Sequence, residues 1–344
     1  MISGTKIIFV SMLYDYGIKD RGYSYDYYNM FNTLKKMFGE SVLFFDYMTL
    51  FRQKGKQAMN AGLLDLVHAE KPDLVIFSLY QDEFIPEILT RIKEISKTLC
   101  YFWDDQWRIN FSRKWAPYFS FITTPDYNGL KRWRDFGIQN VIYSPFGCNH
   151  YLWKKKDISK KYDVSFVGMY HPYREWLIKM LKKFGFDVYV VGAGWGKDKY
   201  TPYQEIIDIF NQSKINLNLS NSISYDVRYI FSSFSSAKNT LQLFKTGDKK
   251  NREQIKGRHF EIPGCGGFQI SFYIEGLEHC YEIGKEIAIF EDADDLLEKV
   301  AYYLSHENER EEIASAGYLR TLEEHTYEKR IKHMLNYAGI NYGK

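Results

Sequence analysis

Short apolar runs recur through the first 150 residues with longer mixed segments between them. Residues 6–10, 42–45, 74–77, 99–102 and 141–143 are each too short for a helix and rich in β-branched or aromatic side chains. None alternates apolar with polar, the pattern of strands covered on both faces. Between them, 27–38 and 85–96 carry helical spacing. Alternating β and α segments predict a parallel sheet with helices on both sides.

The polar stretch 153–161, with five lysines in nine residues, interrupts this rhythm and reads as an interdomain linker. The alternation then restarts. Strands are expected at 162–168, 187–191, 215–219, 268–271 and 286–290. Helices are expected at 173–184, 203–211, 294–305, 307–324 and 327–337. Residues 222–252 lack clean periodicity and read as a partly helical insertion. The pattern predicts two Rossmann-like α/β domains in tandem: 1–152, then 153–325, with 326–344 as a closing helix that crosses back to the first domain.

Composition narrows the function classes. Lys and Arg total 46 and Asp and Glu 43 in 344 residues, a net charge of +3, which gives no electrostatic footprint for nucleic acid. Four widely spaced cysteines, with no CxxC pair, fit reduced thiols in a cytoplasm rather than a disulfide framework or a zinc site. No apolar run approaches the roughly 20 residues of a membrane span, so at most peripheral membrane contact is expected, and no secretory leader. Aromatic residues reach 18%, with 29 Tyr and 25 Phe. Tyrosine joins an apolar face to a polar tip, which suits surfaces that hold sugars or rings.

Three segments carry candidate chemistry. After the restart strand, Gly168 opens onto a helix whose first turn holds Arg174; backbone N–H groups, the helix dipole and a guanidinium there would receive an anion. Gly192, Gly194 and Gly196 follow the next strand, but their GxGxG spacing lacks the third glycine of a dinucleotide fingerprint, so a dehydrogenase is rejected. The run from Gln254 to Phe268 sets Lys256 and Arg258 ahead of Glu261 and a Gly-rich turn. Cations there neutralise a diphosphate, and a carboxylate a turn away accepts both hydroxyls of a ribose. Glu253 lies eight residues before Glu261. His171 and His259 read equally as surface or packing residues. In the first half, Asp104 and Asp105 follow a strand, where carboxylates face the crevice of an open α/β sheet, and Tyr14 and Tyr16 follow the first strand.

These residues make the chain recognisable. The run Lys256-Gly257-Arg258-His259-Phe260-Glu261-Ile262-Pro263-Gly264-Cys265-Gly266 resembles the K-G-R-x-F-E-x-x-x-C-G signature of GT-B glycosyltransferases of the group 1 type, in the branch named after spore maturation protein B. Ser213-Lys214-Ile215-Asn216-Leu217-Asn218 resembles that branch's S-K-I-x-L-N strand. Ile313 to Gly317, His325-Thr326-Tyr327 and Arg330 are similar to its C-terminal pattern. The likeness covers about residues 160–335, while the first 150 match in layout only.

The resemblance implies two parallel-sheet domains facing a cleft, with a nucleotide-diphosphate sugar on the C-terminal domain and a glycan or glycoconjugate acceptor on the other. It assigns Glu261 to the donor ribose and Lys256 and Arg258 to the diphosphate; Gly168, Arg174 and Gly266 are expected on the same donor side. Glu253 falls at the first position of the E-x7-E pair, although the glycine and phenylalanine that usually follow are absent. Tyr14 and Tyr16 lie on the acceptor side. Related retaining enzymes carry a histidine near the position where this chain has Asp104 and Asp105. The expected reaction is sugar transfer, with retention and without a metal ion or other cofactor. The alternatives are a non-catalytic nucleotide-sugar or carbohydrate-binding protein and a nucleotide-sugar epimerase of the same shape.

Overall fold

A computed structural model describes residues 4–196, 201–221, 224–241 and 253–342. The chain divides into two units: residues 1–149 with 327–344, and residues 150–326.

Unit 1 is built on six strands: β1 (Ile7–Ser11), β2 (Val42–Asp46), β3 (Leu74–Phe77), β4 (Lys97–Cys100), β5 (Phe121–Thr124) and β6 (Val141–Tyr143). All pairs are parallel, in the order β2-β1-β3-β4-β5-β6. β1 is buried along its whole length because both sheet faces are covered. One face packs Ile8, Val10, Val75 and Phe77 against the helices Tyr47–Glu70 and Pro86–Ile95. The other packs Ile7, Phe9 and Leu99 against Leu34 and against the last helix, Tyr327–Tyr337, through Ile331, Met334 and Leu335.

Two elements of unit 1 escape the pattern in the sequence. Helix Tyr47–Glu70 has a capping Asp46, whose carboxylate accepts from Thr49 N at 3.2 Å. Gly55, at φ 80°, breaks its helical geometry, and its polar first half buries little, so no apolar stripe runs its length. β5 reads Phe-Ile-Thr-Thr, too short and too polar to register as a buried run.

Unit 2 has β7 (Tyr162–Val167), β8 (Val188–Val191), β9 (Ser213–Asn218), β10 (Gln269–Phe272) and β11 (Ala288–Phe290). These are also all parallel, ordered β11-β10-β9-β7-β8. The stretch 153–161 is not a free linker. Trp153 is buried against Tyr203 and Phe210, and Lys156 N donates to Asn211 Oδ1 at 2.7 Å. Within 222–252, helices Val227–Ile230 and Phe234–Leu241 are formed; residues 222–223 and 242–252 lie outside the described residues.

Each sheet reverses its winding once. From β1 the chain adds β2 on one side and β3 on the other; from β7 it adds β8 on one side and β9 on the other. The loops leaving β1 and β3, and those leaving β7 and β9, therefore diverge and leave a crevice at the carboxyl edge, where open α/β sheets bind ligands.

Candidate active site

In unit 2 two arginines bond carbonyls at the carboxyl ends of β7 and β9. Helix Pro172–Lys183 starts five residues after β7 ends, with His171 as its cap: the imidazole Nδ1 accepts from Tyr173 N at 3.3 Å. That fixes Arg174 in the first turn. Its Nε donates to Leu219 O, just beyond β9, at 2.7 Å, and its guanidinium donates to Met169 O at 2.9 Å. One side chain thus clips the two diverging loops together. Burial lowers the Arg174 pKa, opposed by the negative charge of nearby Glu253.

Arg258 opens the helix Arg258–Gly264. It forms an ion pair with Glu261 one turn on, and its Nε reaches Val167 O, the last residue of β7, at 3.4 Å. Its guanidinium lies 5.4 Å from the Phe210 ring centroid and 5.9 Å from that of Trp153. Glu261 is wholly buried and the Arg258 side chain 28% exposed, so the pair presents its cationic half to the crevice. Lys256 lies half-buried two residues upstream. The structure thus brings Arg174, Arg258 and Glu261 to one edge of one sheet, with Glu253 close to Arg174.

Four other residues of this region shape the backbone instead. Gly168 does not offer a free N–H: it donates to Val191 O at 3.0 Å, and Tyr170 N donates to Ala193 O at 2.8 Å. The loops after β7 and β8 are zipped together, and Trp195 Nε1 caps Gly168 O at 2.9 Å. Gly266 ends a helix. It sits at φ 68°, its N–H bonds Pro263 O at 2.7 Å, and Gly267 N bonds Ile262 O at 3.0 Å, the paired closure that favours glycine after a helix. His259 is fully buried, accepts from Lys256 N at 3.0 Å, and is pushed down to about 4 by burial, so it packs as a neutral ring. His171 is the helix cap described above.

In unit 1 the carboxylate pair is split. Asp105 is completely buried, accepts from Trp133 Nε1 at 2.9 Å, and is pushed up to about 7 by burial. It anchors an indole in the core and is no candidate for contact with substrate. Asp104 stays half-buried at the carboxyl edge. Its charge, after burial, Asp15 and Tyr80, is among the influences that raise the Tyr16 phenol, so Asp104 and Tyr16 share one neighbourhood. Tyr16 is held at φ 50°, with Arg52 donating to its carbonyl at 2.9 Å and to that of Gly17 at 2.5 Å. Tyr14 stacks on Tyr23 at 5.6 Å, and Tyr16 meets Tyr80 edge-on at 5.4 Å.

Sequence reasoning missed Asp26 here. Burial raises its pKa; it accepts from Ser11 Oγ, at the end of β1, at 2.6 Å and is bonded by Ser78, just beyond β3. Ser78 Oγ also accepts from Trp103 Nε1 at 2.9 Å. Nothing local in the sequence marks Asp26, because its partners come from strands 15 and 52 residues away.

Among the described residues, no group of three or more His, Cys, Asp or Glu is placed to hold a metal ion, and no helix is long and apolar enough to cross a membrane.

Comparison with known proteins supplies the context. The family described as glycosyl transferase-like matches residues 174–336. The spore protein CgeB of Bacillus subtilis (strain 168) is 25% identical over 225 residues, 60% of this chain and 64% of that protein, so the match spans just under two thirds of the relative. Among solved structures, sucrose-phosphate synthase from Thermosynechococcus elongatus superposes with a TM-score of 0.63 at 9% identity, covering 98% of this chain and 99% of that one. Anabaena Alr3699/HepE, solved with UDP and glucose, gives 0.58 at 12% identity, covering 97% and 100%. The resemblance carried by the Lys256–Gly266 motif is thereby shown: the chain carries glycosyl transferase-like sequence over residues 174–336 and the GT-B glycosyltransferase fold across both its units.

Proposed function

We propose that this chain transfers a sugar from a nucleotide-diphosphate donor, held on unit 2, to a hydroxyl of a glycan or glycoconjugate presented by unit 1, with retention of configuration and without a metal ion. The observation that carries this reading is the convergence of Arg174, Arg258 and Glu261 on the carboxyl ends of β7 and β9. Breaking the sugar–diphosphate bond develops negative charge on the leaving phosphate. Arg174, Arg258 and Lys256 supply fixed positive charge for it in a partly buried setting, where such charge counts for more than in water. Glu261 takes the ribose hydroxyls once Arg258 turns toward the diphosphate, and Glu253, close to Arg174, lies toward the donor sugar. The UDP and glucose of the HepE structure support this donor class.

Retention needs no strong enzymic base, because the leaving diphosphate takes the acceptor proton on the face it departs from. The burial of Asp105 favours this route, since it leaves Asp104 alone to orient the acceptor beside Tyr14 and Tyr16. Four buried thiols fit a reducing compartment, and the reading places the enzyme in the cytoplasm, with at most peripheral membrane contact. The test is a thermal-shift screen of nucleotide-diphosphate sugars, followed by NMR of the anomeric coupling in the product. No stabilisation by any of them refutes the donor, and a product configuration opposite to the donor's refutes retention.

A further inference from the structure

Two asparagines on β9 share a sheet face and differ in one respect. Asn216 is spent on the fold: its Oδ1 accepts from Ser165 Oγ at 3.0 Å, and its Nδ2 donates to Phe210 O at 3.2 Å and Phe268 O at 3.3 Å. Asn218, one pleat nearer the carboxyl edge, points to the same face because strand side chains alternate. It is 5% exposed, yet its Nδ2 has no hydrogen-bond partner among the described residues. Two residues on, Ser220 Oγ is likewise buried without a partner. Leu219, between them, gives its carbonyl to Arg174. The face that Asn216 and Asn218 share is the one covered by the helix Arg258–Gly264: Asn216 Nδ2 lies 2.8 Å from where a side chain on Gly267 would begin, with Ile262 on the same spot.

A buried amide N–H without a partner is costly, and native structures keep few of them. Here two hydroxyl or amide donors flank a carbonyl already bound by an arginine, at the switch point of the sheet. We infer that Asn218 Nδ2, with Ser220 Oγ beside it, donates to the diphosphate oxygens of a bound nucleoside diphosphate, as uncharged partners of Arg174 and Arg258. This rests on the donor reading above and extends it to two buried polar atoms without a partner among the described residues. An anion is the fitting ligand because Asn218 Nδ2 only donates, Ser220 Oγ is able to donate, and two guanidinium groups are bonded at the same strand ends.

The experiment is calorimetric titration of the full chain with UDP and with inorganic pyrophosphate, alongside thermal melts. Asn218→Ala weakens both ligands by about tenfold, the worth of a hydrogen bond to a charged oxygen, and leaves the melting temperature unchanged or higher, because a buried group without a partner has been removed. Asn218→Asp, which keeps the shape and replaces the donor by an acceptor, weakens both further. Unaltered affinity in either variant overturns the inference, as does a lower melting temperature in Asn218→Ala, which would mark a structural role. Weakened UDP with unaltered pyrophosphate also overturns it, moving the contact to the nucleoside. If the wild-type chain binds neither ligand, the donor reading itself fails and the role of Asn218 falls with it.

Discussion

Replacing Asp105 by asparagine tests whether that carboxyl belongs to the core or to the chemistry. The side chain is sealed from solvent and holds the Trp133 indole at 2.9 Å; asparagine offers the same oxygen to the indole. Burial raises the carboxyl from its ordinary 3.8 to about 7, against the opposing bonds from Trp133 and Thr124. In the folded chain it therefore keeps its proton through a range in which the unfolded chain has lost it. Between pH 4 and 7 the native state binds one more proton than the unfolded state, so stability falls as pH rises, by roughly 1.36 kcal/mol per pH unit, and levels off above 7. Over the full window of about three units the ceiling is about 4 kcal/mol.

Asparagine does not titrate, so the variant lacks this slope. Relative to wild type, Asp105→Asn gains about 3 kcal/mol between pH 5 and 8, which for a unit of this size is roughly 5–10 °C in melting temperature. Thermal melts of both proteins across pH 5–8 read the difference directly, with other titrations cancelling. Parallel curves would refute the reasoning. So would a loss of turnover in Asp105→Asn on the scale of about 10²–10⁴-fold at unchanged stability, the signature of a general base.

Glu261→Ala weakens nucleoside diphosphate binding by about ten- to a hundredfold, from the roughly 1.5–3 kcal/mol of charged hydrogen bonds lost; full affinity in a folded variant, measured by calorimetry, would remove Glu261 from the donor site. Transferase activity survives EDTA, because Arg174, Arg258 and Lys256 supply the positive charge a metal would otherwise bring to the leaving phosphate; abolition with rescue by Mg²⁺ or Mn²⁺ contradicts this. Gly192→Ala destabilises unit 2, since a side chain there starts 2.1 Å from Gly168 O and the residue sits at φ 134°; strain at such a backbone costs roughly 1–3 kcal/mol, and an unchanged melting temperature would show that the loops after β7 and β8 are not zipped in solution.

The parallel sheets were legible because buried parallel strands write themselves as uninterrupted apolar runs: 74–77 and 141–143 fall where β3 and β6 form. What escaped was structure whose cause is not local. Helix Tyr47–Glu70 is made by an Asp46 cap and by Met59, Leu63 and Val67 meeting the sheet, while Gly55 and the polar residues around it erase the 3.6-residue rhythm. The Asp26 network is invisible for the same reason: Ser11, Ser78 and Trp103 become neighbours only once β1, β3 and β4 are side by side.

Within the motif that made the family recognisable, two kinds of constraint are superposed, and sequence cannot separate them. Arg258, paired with Glu261, reaches the carboxyl edge of the sheet, whereas His259 and Gly266 serve geometry: one is a neutral buried ring, the other a left-handed residue that closes a helix. Gly168 and Gly192 follow the same logic: a side chain on Gly168 would start 2.6 Å from the Phe166 ring, and one on Gly192 2.1 Å from Gly168 O. A glycine beside a strand end therefore reads equally as a phosphate cradle or as a packing contact until its N–H is followed to an acceptor. Here Gly168 donates to Val191 O. The cationic groups at this edge are therefore side chains, Arg174 and Arg258, and their placement depends on what fixes them: the carbonyls of Met169, Leu219 and Val167, and the carboxylate of Glu261.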